Sequence, residues 1–330
     1  MIKIIFKDGQ GLGNQLWLFA VAKSISEKLE LDLEIIDFKK FKGRDFLNLD
    51  YKEYKDNYFI NNKSLLKNIE IFNERVFYDN ELKYIVSSYD ERVLSINKNT
   101  LLDGIFQSEK YFFGNLEKLK RYIQLDKKVL DSIKLNSKYC ILNIRGGEYK
   151  RHKNFILPKK YWLNAMRNFQ DKFNISNFKI VTDDFKYANF LFPELEIIHG
   201  DIGKCYATIY KSRNIILSNS SFSYFPCKTG FKKNIIAPMY WARPSKNYGR
   251  WISPGNVYKD WLWEDEKSNL YDYNHCQRIA EESDHYYRKE FTVLVRKNSI
   301  PNTGILNFLP KRFKKILKKI LTHLFPEHFG

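Results

Sequence analysis

Four short segments concentrate the side chains that could do chemistry. The first is Gly9-Gln-Gly-Leu-Gly-Asn-Gln-Leu16. Three glycines in five positions let a backbone approach a ligand closely. The free N–H groups of a helix start favour an anion. Gly11 and Gly13 would supply that backbone, and Asn14 and Gln15 add two amides that donate and accept. The spacing is not a dinucleotide fingerprint, because the third glycine position of G-x-G-x-x-G is Asn14, and no Gly-Lys-Ser/Thr follows as in a P-loop. A tight turn with no ligand is the structural alternative. The second segment is Asn143-Ile-Arg-Gly-Gly-Glu-Tyr149, in which Arg145 stands at a strand end beside Gly146-Gly147. An arginine so placed can grip a diphosphate bidentately, or it can form a salt bridge with Glu148. The third is Thr182-Asp-Asp184. Asp183 and Asp184 could hold a ribose, a base edge or, as the weaker idea, a metal, and an aspartate there could equally cap a helix. In the fourth, Ser220 and Ser221 precede Phe222 at a helix start, as a second phosphate cradle or as a simple N-cap.

Other chemistries find no footing. There is no G-x-S-x-G and no Ser/His/Asp arrangement. His152 and His199 are isolated and read as structural histidines. Paired carboxylates of the glycosidase kind cannot be assigned by spacing.

The elements that must position these segments alternate. Ile2, Ile4, Ile5 and Phe6 read as a buried strand. Leu16, Phe19, Ala20, Ile25 and Leu29 lie mostly at helical spacing, and Leu33–Ile36 is the next strand, which makes a βαβ unit. Residues 39–100 show weak periodicity and are read as loops and small helices. A helical pattern runs through Leu116, Leu119, Tyr122 and Ile123, and a seam is expected near Leu125–Ser137. The rhythm restarts with strands at Tyr139–Ile144, Phe178–Val181, Glu196–Ile198, Asn214–Leu217 and Ile235–Ala237. Helices are expected at Tyr161–Phe173 and Tyr206–Tyr210, with another starting at Ser220–Tyr224. All four chemical segments fall at carboxyl ends of strands, where open α/β sheets place ligands. The expected fold is α/β, with two Rossmann-like doubly wound domains facing a cleft. The boundaries are 1–135 for a first Rossmann-like domain, 136–265 for a second, and 266–330 for a C-terminal extension.

Size and composition agree with that reading. The chain has 330 residues, 44% hydrophobic and 16% aromatic, which suffices for two cores. Cys140, Cys205, Cys227 and Cys276 have no C-x-x-C spacing and read as reduced thiols. The first strand begins at Ile2, which leaves no room for a signal peptide. No run approaches the ~18 apolar residues of a membrane span. The net charge of +18 suggests an anionic partner. It carries a lesser alternative, a basic nucleic-acid-binding protein, but no motif of that kind is present. Within residues 309–324, Leu309, Phe313, Ile316, Leu317, Ile320, Leu321 and Leu324 share one helical face. Lys311, Arg312, Lys314, Lys315, Lys318 and Lys319 share the other. Such a basic amphipathic helix suits an anionic membrane surface, or it docks on the body with a solvated lysine face.

Taken in order, several segments resemble the bacterial α-1,2-fucosyltransferase family, glycosyltransferase family 11. They are Gly11–Leu16, Gly104-Ile-Phe-Gln-Ser-Glu-Lys-Tyr111, Asn143–Tyr149, Thr182–Asp184, and Ser218–Tyr224 with Ala237-Pro238. The resemblance covers roughly residues 1–245. It implies a GT-B fold and an inverting transfer that needs no metal and no cofactor, of the galactoside 2-α-L-fucosyltransferase type. It implies GDP-fucose held mainly by the second domain, and a surface-glycan acceptor, oligosaccharide or lipid-linked, of the O-antigen or capsule kind. Gly11, Gly13, Asn143, Arg145, Asp183, Asp184, Ser220, Ser221 and Phe222 would bind the donor. Asn14, Arg145 and Glu148 would serve catalysis, with Glu148 or Asp8 as a candidate base. The family's arginine motif is His-x-Arg-Arg-Gly-Asp-Tyr, whereas this chain has Asn143, Arg145, Gly146 and Glu148 at the corresponding places. That departure keeps open a same-fold transferase that uses another nucleotide sugar. The expected location is cytoplasmic, peripheral on the inner face of the cytoplasmic membrane.

Overall fold

The computed structural model describes residues 1–52, 69–79, 84–151, 155–232, 234–239, 252–290 and 293–294. The amphipathic segment 309–324, His152 and part of the 1–245 resemblance lie outside them. The elements up to the first helical crossover are β1 (Ile2–Ile5), α1 (Leu12–Leu29), β2 (Leu33–Ile36) and β3 (Leu47–Leu49). Then come β4 (Glu70–Asn73), β5 (Val76–Asp79), β6 (Tyr84–Ser87), β7 (Thr100–Asp103), α2 (Lys118–Tyr122), β8 (Ile123–Leu125) and α3 (Lys127–Ser132). The second run is β9 (Tyr139–Ile144), α4 (Lys159–Phe173), β10 (Asn177–Thr182), α5 (Phe185–Leu191), β11 (Glu196–His199), α6 (Ile202–Lys211) and β12 (Asn214–Leu217). It continues with α7 (Tyr224–Thr229), β13 (Asn234–Pro238), β14 (Leu262–Glu264), β15 (Leu270–Tyr271), α8 (Tyr273–Glu290) and β16 (Val293–Leu294).

Two sheets carry the architecture. A four-stranded sheet has the order β2-β1-β7-β4 and is parallel throughout. A seven-stranded sheet has the order β11-β10-β9-β12-β13-β14-β15, parallel except for its last pair. Numbered from β9, its first six strands run 3-2-1-4-5-6, the doubly wound order of a Rossmann sheet. The strands form because short aliphatic runs such as Ile141-Leu142 and Ile215-Ile216 are covered on both faces. On one face of the larger sheet, Leu142, Ile180 and Ile216 pack with Trp162, Ala165 and Phe169 of α4. On the other, Ile141, Val181 and Ile215 join a cluster that also contains Ile4, Trp17, Phe19 and Tyr122. The two sheets are therefore joined by one continuous apolar core.

Three expectations change. Helix α1 starts at Leu12, one turn before Leu16, with Gly11 as an extended N-cap (φ −69°, ψ 149°). Gly13, Asn14 and Gln15 are thus helical, and they escape the apolar pattern because Gly13 and Gln15 are buried by other means. The weakly periodic 39–100 contains β3 to β6 and the first residue of β7, strands of three or four residues that are too short to show alternation. The C-terminal extension expected from residue 266 is, up to Leu294, not separate from the body. Helix α8 buries Cys276, Ala280, Ser283 and Tyr287, and Tyr287 Oη donates to Asp79 Oδ2 at 2.7 Å, so the chain returns to the strand pair β5–β6.

Candidate functional site

In the seven-stranded sheet, the connections leave β9 and β12 in opposite directions, and such a switch point opens a crevice at the carboxyl ends. The register pairs Leu217 with Asn143, so Arg145 and the segment after Leu217 lie side by side there. The Arg145 guanidinium pairs through Nη1 with Asp183 Oδ2 at 2.7 Å and through Nη2 with Glu148 Oε1 at 3.2 Å. It also lies 5.2 Å from the Tyr149 ring centroid. Asp183 Oδ1 accepts from Gly146 N at 2.9 Å. The two glycines are required by close approach. A Cβ on Gly146 would come within 2.7 Å of Asp184 Cβ, and one on Gly147, at φ +34°, would collide with the Asp183 carboxylate. Asp184 caps α5 by accepting from Tyr187 N at 3.1 Å, and it pairs with Lys150. Burial pushes the Asp184 carboxyl up, but the Lys150 and Tyr187 hydrogen bonds and the Lys150 charge outweigh it and hold the group below its usual range.

Three polar atoms at this crevice are buried and have no partner among the described residues: Asn143 Oδ1, Arg145 Nε and Ser218 Oγ. Asn143 and Ser218 are only 5% and 4% exposed. Buried polar atoms are normally paired, so each such exception calls for an explanation. Tyr149 Oη donates to Asn219 O at 3.3 Å, which ties the turn after β9 to the turn after β12. Burial pushes the Tyr149 phenol up, and the Arg145 charge opposes the shift. Arg145 Nε and the Ser218 hydroxyl can donate to an anion, and the Asn143 amide oxygen can accept from a ligand N–H or hydroxyl. Glu148, 68% exposed in its pair with Arg145, is free to yield its place to a ligand.

In the four-stranded sheet, β1 and β7 are parallel neighbours, and a second polar contact forms at their carboxyl ends. Asn14 Oδ1 accepts from Gln107 Nε2 at 2.9 Å and from Ser221 Oγ at 2.7 Å, so this one oxygen bridges both sheets' edges. Gln107 Oε1 accepts from Asn256 Nδ2 at 3.3 Å, and Asn256 donates again to Tyr258 Oη at 2.8 Å. Behind Gln107, the buried Glu74 Oε2 accepts from Ile105 N at 2.6 Å and Phe106 N at 2.8 Å, while Oε1 accepts from Tyr111 Oη at 2.9 Å. These bonds hold Phe106 in the left-handed region, at φ +53°. Burial lifts Glu74 to about 7 despite them.

The glycine segment plays a packing part. A Cβ on Gly13 would lie within 2.5 Å of Phe222 N, so the start of α1 sits directly on the 221–223 turn. Gln15 is fully buried, donates to Lys40 O at 2.8 Å and accepts from Lys42 N at 2.9 Å. Gly11 is exposed at the N-cap. Ser220 caps the turn that follows by accepting from Phe222 N at 3.4 Å. The Phe222 ring packs edge-on to Tyr206, with centroids 6.1 Å apart. Asp8 pairs with Lys40 at 3.1 Å.

The structure thus gathers Asn143, Arg145, Glu148, Asp183 and Asp184 in one crevice and Gly13, Asn14, Ser221 and Phe222 in a second contact. Ser220 lies on the 218–222 segment that joins them. Gln107, Glu74, Tyr149 and Lys150 were not singled out by the sequence. Gln107 lies in the Gly104–Tyr111 segment, where its type was visible but its partner was not. No family model matches the sequence, and no curated protein matches it. Solved structures similar in fold include fucosyltransferase NodZ from Bradyrhizobium, with 12% identity, 68% of this chain and 92% of that chain covered, and a TM-score of 0.38. A mutant of FUT1 from Arabidopsis thaliana in complex with GDP has 9% identity, 74% and 71% coverage and a TM-score of 0.45. A family 9 glycosyl transferase from Veillonella parvula has 12% identity, 86% and 96% coverage and a TM-score of 0.41. These likenesses are loose, and the two-sheet architecture stands on the strand order itself.

Proposed function

We propose that this chain is a GT-B-type inverting glycosyltransferase that moves fucose from GDP-fucose to a surface-glycan acceptor. The observation that carries the reading is the crevice between β9 and β12, where Arg145 Nε, Asn143 Oδ1 and Ser218 Oγ are buried with no partner among the described residues. A nucleoside diphosphate fits that chemistry: Arg145 exchanges Glu148 for phosphate oxygens, and the amide and hydroxyl meet polar atoms of the ligand. The acceptor oxygen then bonds to the anomeric carbon as the bond from that carbon to the phosphate oxygen breaks. The electron pair leaves with the diphosphate, whose growing charge Arg145 stabilises. No divalent ion is invoked, because the two adjacent aspartates are already neutralised by Arg145 and Lys150. The acceptor proton goes to Glu148 or Asp8.

One observation favours a second donor. Gly146 is pressed against Asp184, so a second arginine has no room there, and the base or sugar of the donor can differ from GDP-fucose on the same frame. A thermal-shift screen against GDP-, UDP-, dTDP- and CMP-sugars with EDTA present separates the two. Stabilisation by one of them that disappears in Arg145→Ala is expected, and no response to any nucleotide sugar overturns the reading. Peripheral attachment to the cytoplasmic face of the membrane through residues 309–324 is the accompanying proposal. It predicts that deleting residues 305–330 abolishes co-sedimentation with anionic liposomes, and unchanged co-sedimentation would refute it.

A further inference from the structure

Away from the crevice between β9 and β12, an open cavity of about 370 Å³ lies beside β3, lined by Phe38, Lys39, Arg44, Leu47, Asn48 and Leu49. Its position follows from packing. Gln15 clamps Lys40 and Lys42 to the first turn of α1, so the 38–44 segment is fixed next to Asn14. Phe46 continues from it onto α6, where a Cβ on Gly203 would meet the Phe46 ring at 3.0 Å and the tilted Tyr206 ring has its centroid 5.7 Å away. The cavity therefore flanks the place where the two sheets join.

Its charge is uncommitted. Lys40 is held by Asp37 at 3.0 Å and Asp8 at 3.1 Å. Lys39, Lys42 and Arg44 are exposed, with no ion-pair partner among the described residues, and only Asp45 opposes them in the same loop. The remaining lining combines the aromatic wall of Phe38, the apolar Leu47 and Leu49, and the exposed amide of Asn48. A planar guanidinium and an ammonium recognise a carboxylate or phosphate. An aromatic and apolar wall suits the C–H face of a sugar, and an amide suits its hydroxyls.

We propose that this cavity binds an anionic saccharide, the charged portion of the acceptor glycan. Lys39 and Arg44 meet its carboxylate or phosphate, and Asn48 meets a neighbouring hydroxyl. The assignment to the acceptor rests on the glycosyltransferase reading, whereas the saccharide binding does not. The test is calorimetric titration of the full chain with trigalacturonate, galactose 6-phosphate and neutral galactotriose. At least one charged probe should bind while galactotriose does not, and the tighter of the two identifies the anion. Lys39→Ala/Arg44→Ala should weaken that binding by about tenfold or more, because two charge-assisted contacts are lost. Both side chains are exposed, so the melting temperature should stay unchanged and report an intact fold. Failure of both charged probes, equal binding of the neutral one, or unchanged affinity in the double variant overturns the inference. The nucleotide-sugar screen on the same protein fails or succeeds independently.

Discussion

The carboxyl ends of β1 and β7 and those of β9 and β12 are both ends of adjacent parallel strands, yet they are filled differently. At the first, protein groups meet protein groups: Asn14 Oδ1 takes bonds from Gln107 and Ser221, Gln15 is consumed by the 40–42 backbone, and Gly13 touches the 221–223 turn. At the second, Arg145 Nε, Asn143 Oδ1 and Ser218 Oγ are buried without such partners. The lesson is that a glycine-rich helix start is not by itself a ligand site. Here Gly13 makes room for a neighbouring turn, and the amides beside it are taken by protein partners.

Substitutions can break this contrast. The largest effect is expected from Arg145→Ala, which should lower transfer by about 100-fold or more through lost stabilisation of the leaving group, measured as kcat with the donor that the screen identifies. A smaller loss than Asn14→Ala causes would reverse the assignment of roles.

Next comes the buried carboxyl that holds the Gln107 loop. Burial lifts Glu74 from 4.5 to about 7, so folding favours its protonated form. Its contribution to stability is full below about pH 4.5 and is lost as pH rises through about 7, on the order of 3 kcal/mol. Glu74→Gln stays neutral and should flatten that part of the dependence in denaturant unfolding between pH 5 and 8. Glu264, lifted to about 8 by burial in the other half, should leave its own slope intact in that variant. An unaltered profile in Glu74→Gln would show that Glu74 does not titrate there.

Gly13→Ala and Gly11→Ala sharpen the packing argument. The first forces a methyl into the 221–223 backbone and should destabilise by about 1–3 kcal/mol, read as a lower melting temperature. The second meets nothing within 4 Å at an ordinary φ of −69°, and it should cost under about 1 kcal/mol for the weaker N-cap. Equal losses would mean that Gly13 is not a contact glycine.

The smallest effect separates Asn14→Ala from Asn14→Asp. Alanine removes the acceptor of two hydrogen bonds, about 1–3 kcal/mol, whereas aspartate still accepts both. Rescue by aspartate is the expected result of an unfolding series. Equal losses in the two variants would assign the role to the amide nitrogen.

Much of the second half was legible from the sequence. Cys140–Leu142 and Ile215–Leu217 are apolar runs, and the segments around them, Tyr139–Ile144 and Asn214–Leu217, form strands with the expected bounds. The first half was less so, since β4 to β7 are four residues each and α8 hides its buried stripe of Cys276, Ala280, Ser283 and Tyr287 among polar residues. Arg145 and Asp183 were visible as types at strand ends. Their pairing was not, because the two positions are 38 residues apart and meet only through the β9–β10 register. The capping role of Asp184 was open to local reasoning, as were Ser220 at its turn and the Arg145–Glu148 pair, since each spans two or three residues.

The sequence by itself determined the strand cores, the glycines and the chemical side chains, because hydrophobic periodicity and backbone freedom are local properties. Only the tertiary structure decided which of those groups are spent on one another. Whether Asn14 is satisfied by Gln107 and Ser221, and whether Arg145 keeps a buried N–H unmatched, depends on which strand edges the folded chain brings side by side.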